Sequence, residues 1–543
     1  MAYVLSTNIV SPLGFTTGEN VMALYEGRSS LRRYDGLWRL PEAFVASLFT
    51  EEQRAALQRD GYTLFESICI ESARRALSET DFDIGASNVL LILSSTKANA
   101  PDGLGSPTYR HPGEAAQRIA EALGITTAPI VVCNACISGV NAQILAERML
   151  RGGEYEYAIV VGADVQSDFI VSGFQSLKSV STQSCRPFDI ERNGLNLGEC
   201  AATMILSASR QGQWSIVSGA IRNDAIHITN PSPQGEGCMQ AINESLSLGH
   251  GQRDSLACIN VHGTATMYND QMESKAVQRA GLGEIPAFGI KGYYGHTMGA
   301  AGVLETIVTL YAVGLGRIPA TRGYAERGVS GRINISGTEQ SVCGDSFLKI
   351  ISGFGGCNAA VLYTMQACDS RLDQPLYISD YQIVNRVTLS SLDGQSLTAL
   401  YRRLALNYPK FFKMDGLSKL AFVASEMMGE DFDAVTLFNR TSSVASDIRH
   451  AGLIADKAEF YPSPSVFIYT LPNIATGEIA IRRAKHGETS FYILPGKNTQ
   501  VMHQVVKATF ADPSIDRLLT GWVDFQDETH WEADIFIAQR YNN

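Results

Sequence analysis

The chain alternates between short, continuous apolar runs and longer stretches whose apolar positions recur at helical spacing. VLLILSST (89–96) and YAIVVGADV (157–165) are bounded by polar residues and predict buried strands of a parallel sheet, with ATMILS (202–207) returning to it. Residues 62–78 and 113–123 predict helices; the first has an apolar stripe and ends in Arg74 and Arg75, which complement the helix dipole. At the centre lies APIVVCNACISGVNAQILAERMLRG (128–152). It predicts a buried strand from Ile130 to Cys133, a stop at Asn134 and Ala135, and a helix opening at Ile137 and Ser138. A second set follows: ACINVHG (257–263), a helix from about Asp270, FGIKGYYGHTMGAAGVLETIVTLYAV (288–313) and ISGFGGCNAAVLYT (351–364). Strand, helix and strand in repeated order predict a layered α/β fold, and the two similar halves predict a duplicated core. QACDSRLDQP (366–375) reads as a linker, and from YISDYQIV another α/β pattern runs to the end, without cysteine.

Composition narrows the function classes. A formal net charge of −11 and the absence of Lys/Arg runs argue against nucleic-acid binding, and any acidic partner would need a local basic patch. Ten cysteines at irregular spacing, all between Cys69 and Cys368, form no disulfide framework. No run of about 20 apolar residues predicts a membrane span. The N-terminus lacks the basic region and apolar core of a signal peptide, so a cytoplasmic protein is expected.

Cys136 is the candidate nucleophile. It falls on the turn between strand and helix, where the positive end of the helix dipole favours thiolate over thiol. The C-x-x-C of Cys133 and Cys136 lacks a second pair at finger spacing, and no metal is expected. His262 emerges from an apolar strand into HGTAT, and His296 precedes a helix of small residues, with Lys291 upstream and Glu305 downstream. Two His at strand ends plus a corner Cys fit nucleophilic acyl chemistry.

Residues 2–365 resemble a β-ketoacyl-[acyl-carrier-protein] synthase of the thiolase-fold superfamily. The motifs, in family order, are NACISG around Cys136, RPFDIERNGLNLGE (186–199), NDAIHIT (223–229), HGTAT (262–266), KGYYGHTMGAAGVLE (291–305) and GFGGCNAA (353–360). The resemblance implies a thiolase-like, duplicated α/β/α/β/α core over 1–365. Cys136 resembles the acyl-accepting nucleophile, and His262 and His296 the pair that promotes decarboxylation of a malonyl unit. Lys291, paired with Glu305, resembles the lysine supporting that site. Thr264 and Thr266 resemble the hydroxyls that hold the pantetheine arm, and Phe354 the gate, its amide joining that of Cys136 in an oxyanion hole. Two His rather than His and Asn resemble the elongating classes. The family implies no cofactor beyond the phosphopantetheine of an acyl carrier protein, which would dock at a basic patch near the tunnel mouth. It also implies a homodimer, with a separate partner synthase subunit as an alternative. The reaction implied is decarboxylative condensation in fatty-acid or polyketide/polyene-type synthesis. The alternatives are an acyltransferase without decarboxylation and a non-catalytic scaffold resembling a chain-length factor.

Three departures bear on chain length and dimer geometry. HPGEAAQRIAEALGI (111–125) replaces a longer segment with an SP…F…LPN…G pattern, Gly-Glu-Gly becomes Gly198-Glu199-Cys200, and GFGGTN becomes GFGGCN. The missing pattern stands instead in residues 463–493, so 376–543 resembles a degenerate N-terminal half-synthase, with LPGKNTQ (494–500) where a nucleophile would follow. This half is expected to pack on the first domain or at a dimer face, either as a chain-length partner or as a passive, stabilising appendage.

Overall fold

The computed structural model describes residues 1–100, 104, 109–249, 252–365, 380–456 and 459–541; the expected linker at 366–375 lies outside them. Sixteen of the described strands form one continuous sheet that contains the same five-stranded unit three times. Unit 1 comprises, in chain order, Ala2–Val10, Val89–Ser94, Ile130–Val132, Tyr157–Asp164 and Cys200–Ser207. Unit 2 comprises Trp214–Asn223, Leu256–Asn260, Pro286–Phe288, Ser346–Gly353 and Cys357–Thr364, with Asn334–Ile335 added at its edge. Unit 3 comprises Tyr381–Ser390, Ala434–Asn439, Thr489–Ile493, Arg517–Asp527 and His530–Arg540.

In every unit the spatial order is third, second, fourth, fifth, first. The second strand runs parallel to the third and fourth, and the fifth runs antiparallel to the fourth and first. Units 1 and 2 meet through their first strands, Ala2 opposite Ile216 and Val4 opposite Trp214. Units 1 and 3 meet through their third strands, which pair antiparallel with Val132 opposite Tyr492 and Val131 opposite Ile493. The mixed α/β, thiolase-like duplication expected for 1–365 is therefore present, and the C-terminal segment is a third copy of its half.

Each third strand leads into a helix before the fourth. In unit 1 this is Ser138–Arg151, in unit 2 Ala301–Gly314 and in unit 3 Thr499–Thr509. The first two are buried along almost their whole length, packing on each other and on strands of both units, which makes them the central layer. Leu64–Leu77 and Pro112–Leu123 cover the outer face of unit 1, and Glu236–Leu248 covers that of unit 2. The central strands Val89–Ser94 and Tyr157–Asp164 are buried at every position, because helices cover both faces; this explains their unbroken apolar sequence.

Unit 3 is attached through buried polar groups as well as apolar ones. Arg148 on the nucleophile helix pairs with Glu488 at 2.8 Å, Arg222 with Asp512 at 2.5 Å, and Lys97 with Asp447 at 2.9 Å. Buried ion pairs add little net stability, but a missing partner leaves a desolvated charge, so they select one docking geometry. The edge strand Ile130–Val132 is thus already paired within the chain, and a second copy cannot add to it there. Arg148→Met is expected to destabilise the protein by about 3–5 kcal/mol in urea unfolding, and Arg148→Met with Glu488→Leu to return most of that loss.

Candidate active site

Three loops at the carboxyl ends of parallel strands converge, two of them in equivalent places. Cys136 follows the third strand of unit 1, His296 follows the third strand of unit 2, and His262 follows the second strand of unit 2. Cys136 sits in a single 3-10 turn, Ala135–Ile137, that runs straight into Ser138–Arg151. The turn is sharp: Ala135 has φ +49°, and the Ser138 hydroxyl accepts from the Asn134 amide at 2.8 Å while donating to the Ala135 carbonyl at 2.6 Å. The Sγ of Cys136 and ring nitrogens of His262 and His296 all lie within 4.8 Å of one another.

His296 Nε2 is 3.0 Å from Cys136 Sγ. Its Nδ1 accepts from the Met298 amide at 3.3 Å, which leaves the ring proton on Nε2, facing the sulfur. Lys291 Nζ donates to the His262 carbonyl at 2.6 Å and to Glu305 Oε1 at 2.6 Å, so the expected Lys291–Glu305 pair is present and fully buried. Burial pushes both imidazoles well below their usual range, and the positive charges of Lys291 and Lys349 push the same way. Both His are neutral at physiological pH, able to donate N–H bonds to a developing anion.

Cys136 departs from expectation. Burial pushes its thiol up to about 12, and Lys291 offsets only part of this. Desolvation thus favours the thiol and opposes the thiolate that the helix end favours.

A cavity of about 340 Å³ opens onto Cys136, His262 and His296, and its walls include Thr264, Thr266 and Phe354. The Thr264 and Thr266 hydroxyls lie 2.9 Å apart. Beyond Cys136 lies a much smaller apolar pocket of about 20 Å³, lined by Ile170, Phe174, Met298, Phe354 and, from unit 3, Phe467 and Leu471. Cys136, Phe174 and Phe354 line both spaces. Gly353 allows a close approach: a Cβ there would come within 3.1 Å of the Cys136 amide nitrogen and 3.2 Å of Cys357 Sγ.

Several residues at the site went unnoticed in the sequence. Glu273 accepts from the His262 amide at 2.5 Å and from the Gly263 amide at 2.9 Å, and so fixes the HGTAT loop. Asp270 does the same for Phe188 and Ala265, at 2.7 and 3.2 Å. Their spacing, one helical turn apart and directly after HGTAT, was the available signal. Asn473 of unit 3 donates to the Phe354 carbonyl at 2.8 Å and braces the Gly-rich turn. Lys349 pairs with Glu305. A lone lysine inside the apolar run SFLKIISG signals a buried anionic partner. Among the described residues, Lys178 is the one Lys or Arg lining the cavity.

The three loops thus converge on a duplicated, thiolase-like α/β core. Two family models, the β-ketoacyl synthase N-terminal domain over residues 45–211 and its C-terminal domain over 215–325, together match just over half of the chain. The chain belongs to the β-ketoacyl synthase family. It is 32% identical over 276 residues to the ketoacyl synthase alpha subunit of the tetracenomycin polyketide synthase of Streptomyces glaucescens, covering 47% of this chain and 64% of that one. It is 28% identical over 252 residues to 3-oxoacyl-[acyl-carrier-protein] synthase 2 of Mycobacterium leprae, covering 42% and 59%. The matched region thus spans less than two thirds of these relatives. Among solved structures, the PfaC keto synthase–chain length factor superposes with a TM-score of 0.78 over 99% of this chain and 78% of its own, at 14% identity. A β-ketoacyl synthase from Burkholderia phymatum covers 67% of this chain and 98% of its own, with a TM-score of 0.61 at 23% identity. These likenesses establish the fold, and the first of them extends through unit 3. Among the described residues no helix is long and apolar enough to cross a membrane.

Iodoacetamide labelling of Cys136, followed by peptide mapping, is expected to accelerate about tenfold per pH unit from pH 7 to 10, as the thiolate fraction does below the thiol's titration point. A plateau near pH 8 would show a thiolate already formed.

Proposed function

We propose that this protein condenses an acyl group held on Cys136 with a malonyl unit delivered by a carrier protein. The observation that carries this reading is the trio itself: one buried thiol and two neutral imidazoles within 4.8 Å, lining a cavity of about 340 Å³. In the first half-reaction Cys136 Sγ attacks the acyl thioester, the carbon–sulfur bond to pantetheine breaks, and the proton leaving Cys136 ends on the released pantetheine thiol. A resting thiol suits this exchange, which needs no net loss of a proton. The amides of Cys136 and Phe354 would hold the tetrahedral oxyanion, and the close approach allowed by Gly353 supports that role.

In the second half-reaction the malonyl carboxylate leaves as CO₂, and its bonding electrons pass to the thioester oxygen as an enolate. His262 and His296 N–H groups would stabilise this charge, with Lys291 anchoring the His262 loop. The enolate carbon then attacks the acyl carbonyl, the bond from that carbonyl to the Cys136 sulfur breaks, and the departing thiolate takes a proton from solvent, the one proton the cycle consumes. Transfer without decarboxylation would use one imidazole; the convergence of both favours condensation.

Unit 3 is proposed to complete this site rather than stabilise it passively. Phe467 and Leu471 close the pocket beyond Cys136, Asn473 braces the Phe354 turn, and a Cβ at Gly173 would strike the Phe467 ring. We read the unit as a built-in counterpart of a chain length factor, a reading supported by the superposition of the PfaC keto synthase–chain length factor on 99% of this chain. With only about 20 Å³ free beyond the sulfur, the acyl groups accepted in this conformation are short.

The reading is tested by intact-protein mass measurement. Incubation with an acyl-carrier protein is expected to add one acyl mass to the protein but not to Cys136→Ala. Added malonyl-carrier protein is expected to discharge it as a β-ketoacyl product. An adduct that is never discharged, at any chain length, would overturn the condensing reading. His262→Ala is expected to slow discharge about 10²–10³-fold while sparing acylation. Phe467→Ala is expected to shift the preferred acyl chain to greater length; an unchanged preference contradicts the assigned role of unit 3.

A further inference from the structure

Behind the two imidazoles lies a buried charge cluster with more cations than its best-placed anion can balance. Glu305, on the Ala301–Gly314 helix, offers Oε1 to Lys291 at 2.6 Å and Oε2 to Lys349. Lys349 lies on the strand Ser346–Gly353, just upstream of the GFGG turn, and has no exposed surface. It also donates to Asn260 Oδ1 at 2.7 Å and to the Val261 carbonyl at 3.3 Å, at the end of the strand that carries His262. A buried lysine is costly, and a strand this apolar has no packing need for one.

We infer that Lys349 is a positioning residue for the condensation chemistry: by neutralising Glu305, it leaves the charge of Lys291 free to act on His262, His296 and Cys136. The inference rests on the condensing function proposed above. Coulombic influence at Cys136 supports it, since Lys291 favours the thiolate there and Glu305 opposes it. Both His are likewise held neutral in part by Lys291 and Lys349.

The groups facing Lys349 are Glu305 and Lys291, with Glu273 on the neighbouring helix Met267–Arg279 and the two imidazoles beyond. Glu273 is engaged by two backbone amides, and burial pushes it up to about 7. Burial pulls Lys349 down to about 8, against the pull of Glu305. The sign follows: as pH rises through this range Lys349 loses its proton, Glu305 recovers its full negative charge against Lys291, and the enolate is less well stabilised. Turnover is therefore expected to fall above about pH 8.

The test compares the wild type with Lys349→Met and with Lys349→Met/Glu305→Gln, using acyl- and malonyl-carrier proteins from pH 6.5 to 9.5. The single variant is expected to lose about tenfold in kcat at pH 7.5, with KM within about twofold, and to lack the alkaline fall. The double variant removes one charge of each sign, so it should recover most of the kcat without restoring that fall. A single variant with wild-type kcat, one that keeps the alkaline fall, or a double variant no better than the single overturns the inference. Should the single variant fail to fold, the double variant alone decides, by the presence or absence of the alkaline fall. If the wild type itself does not condense, the proposed function fails. Iodoacetamide labelling of Cys136 then still judges Lys349, since the single variant must label more slowly at a given pH and the double variant must recover.

Discussion

A strand at the edge of a sheet carries a row of unpaired amides and carbonyls that must find partners. Ile130–Val132 is such a strand, and the turn bearing Cys136 follows it directly. Its free edge is taken by Thr489–Ile493, and Cys133 continues the pairing by donating to the Phe491 carbonyl at 3.1 Å. The rest of the site depends on that junction. It aligns the nucleophile helix against its counterpart Thr499–Thr509, brings Phe467 beneath the sulfur and Asn473 against the Gly-rich turn, and lets three buried ion pairs close around it. Side chains such as Asn223, which donates to Gly355 and to Thr489, tie both sides of the junction to the catalytic loops.

The topology explains why the chemistry sits where it does. Unit 1 and unit 2 each place a short turn after the third strand, and the first strands join the units so that these turns face one another across the central helices. One turn bears the thiol and the other bears His296. Unit 3 repeats the arrangement but carries Leu494–Pro495–Gly496–Lys497 at the equivalent place, and contributes walls instead of reacting groups. Desolvation is the shared electrostatic theme. It keeps the thiol protonated and the imidazoles neutral, and it makes each buried lysine and carboxylate depend on a specific partner.

Much of this was legible in the sequence where the signal is local. The buried central strands follow from unbroken apolar runs, and the nucleophile turn follows from a strand that stops at Asn134 before a helical stripe. Cys136, His262, His296, Lys291, Glu305, Thr264, Thr266 and Phe354 are all brought to one place. What was not legible is non-local. Nothing near Val131 states that its partner is Ile493, because strand pairing between distant segments leaves no periodicity in either. The resemblance of 463–493 to a synthase half left open packing on the first domain or at a dimer face, and the strand pairing shows the first. The protonation of Cys136 was misjudged for a related reason: the helix end is visible in sequence, but the burial that outweighs it is a property of the assembled core.

The central claim is that one chain, by pairing unit 1 with its own unit 3, holds a complete condensing site. The most direct measurement is CO₂ release from malonyl-carrier protein by the acyl-loaded, purified protein, followed over serial dilution. The account predicts release per mole of chain that stays constant from micromolar to nanomolar protein and vanishes in Cys136→Ala. No release, or release per mole that falls steeply on dilution, would contradict it, because the site would then depend on a second subunit.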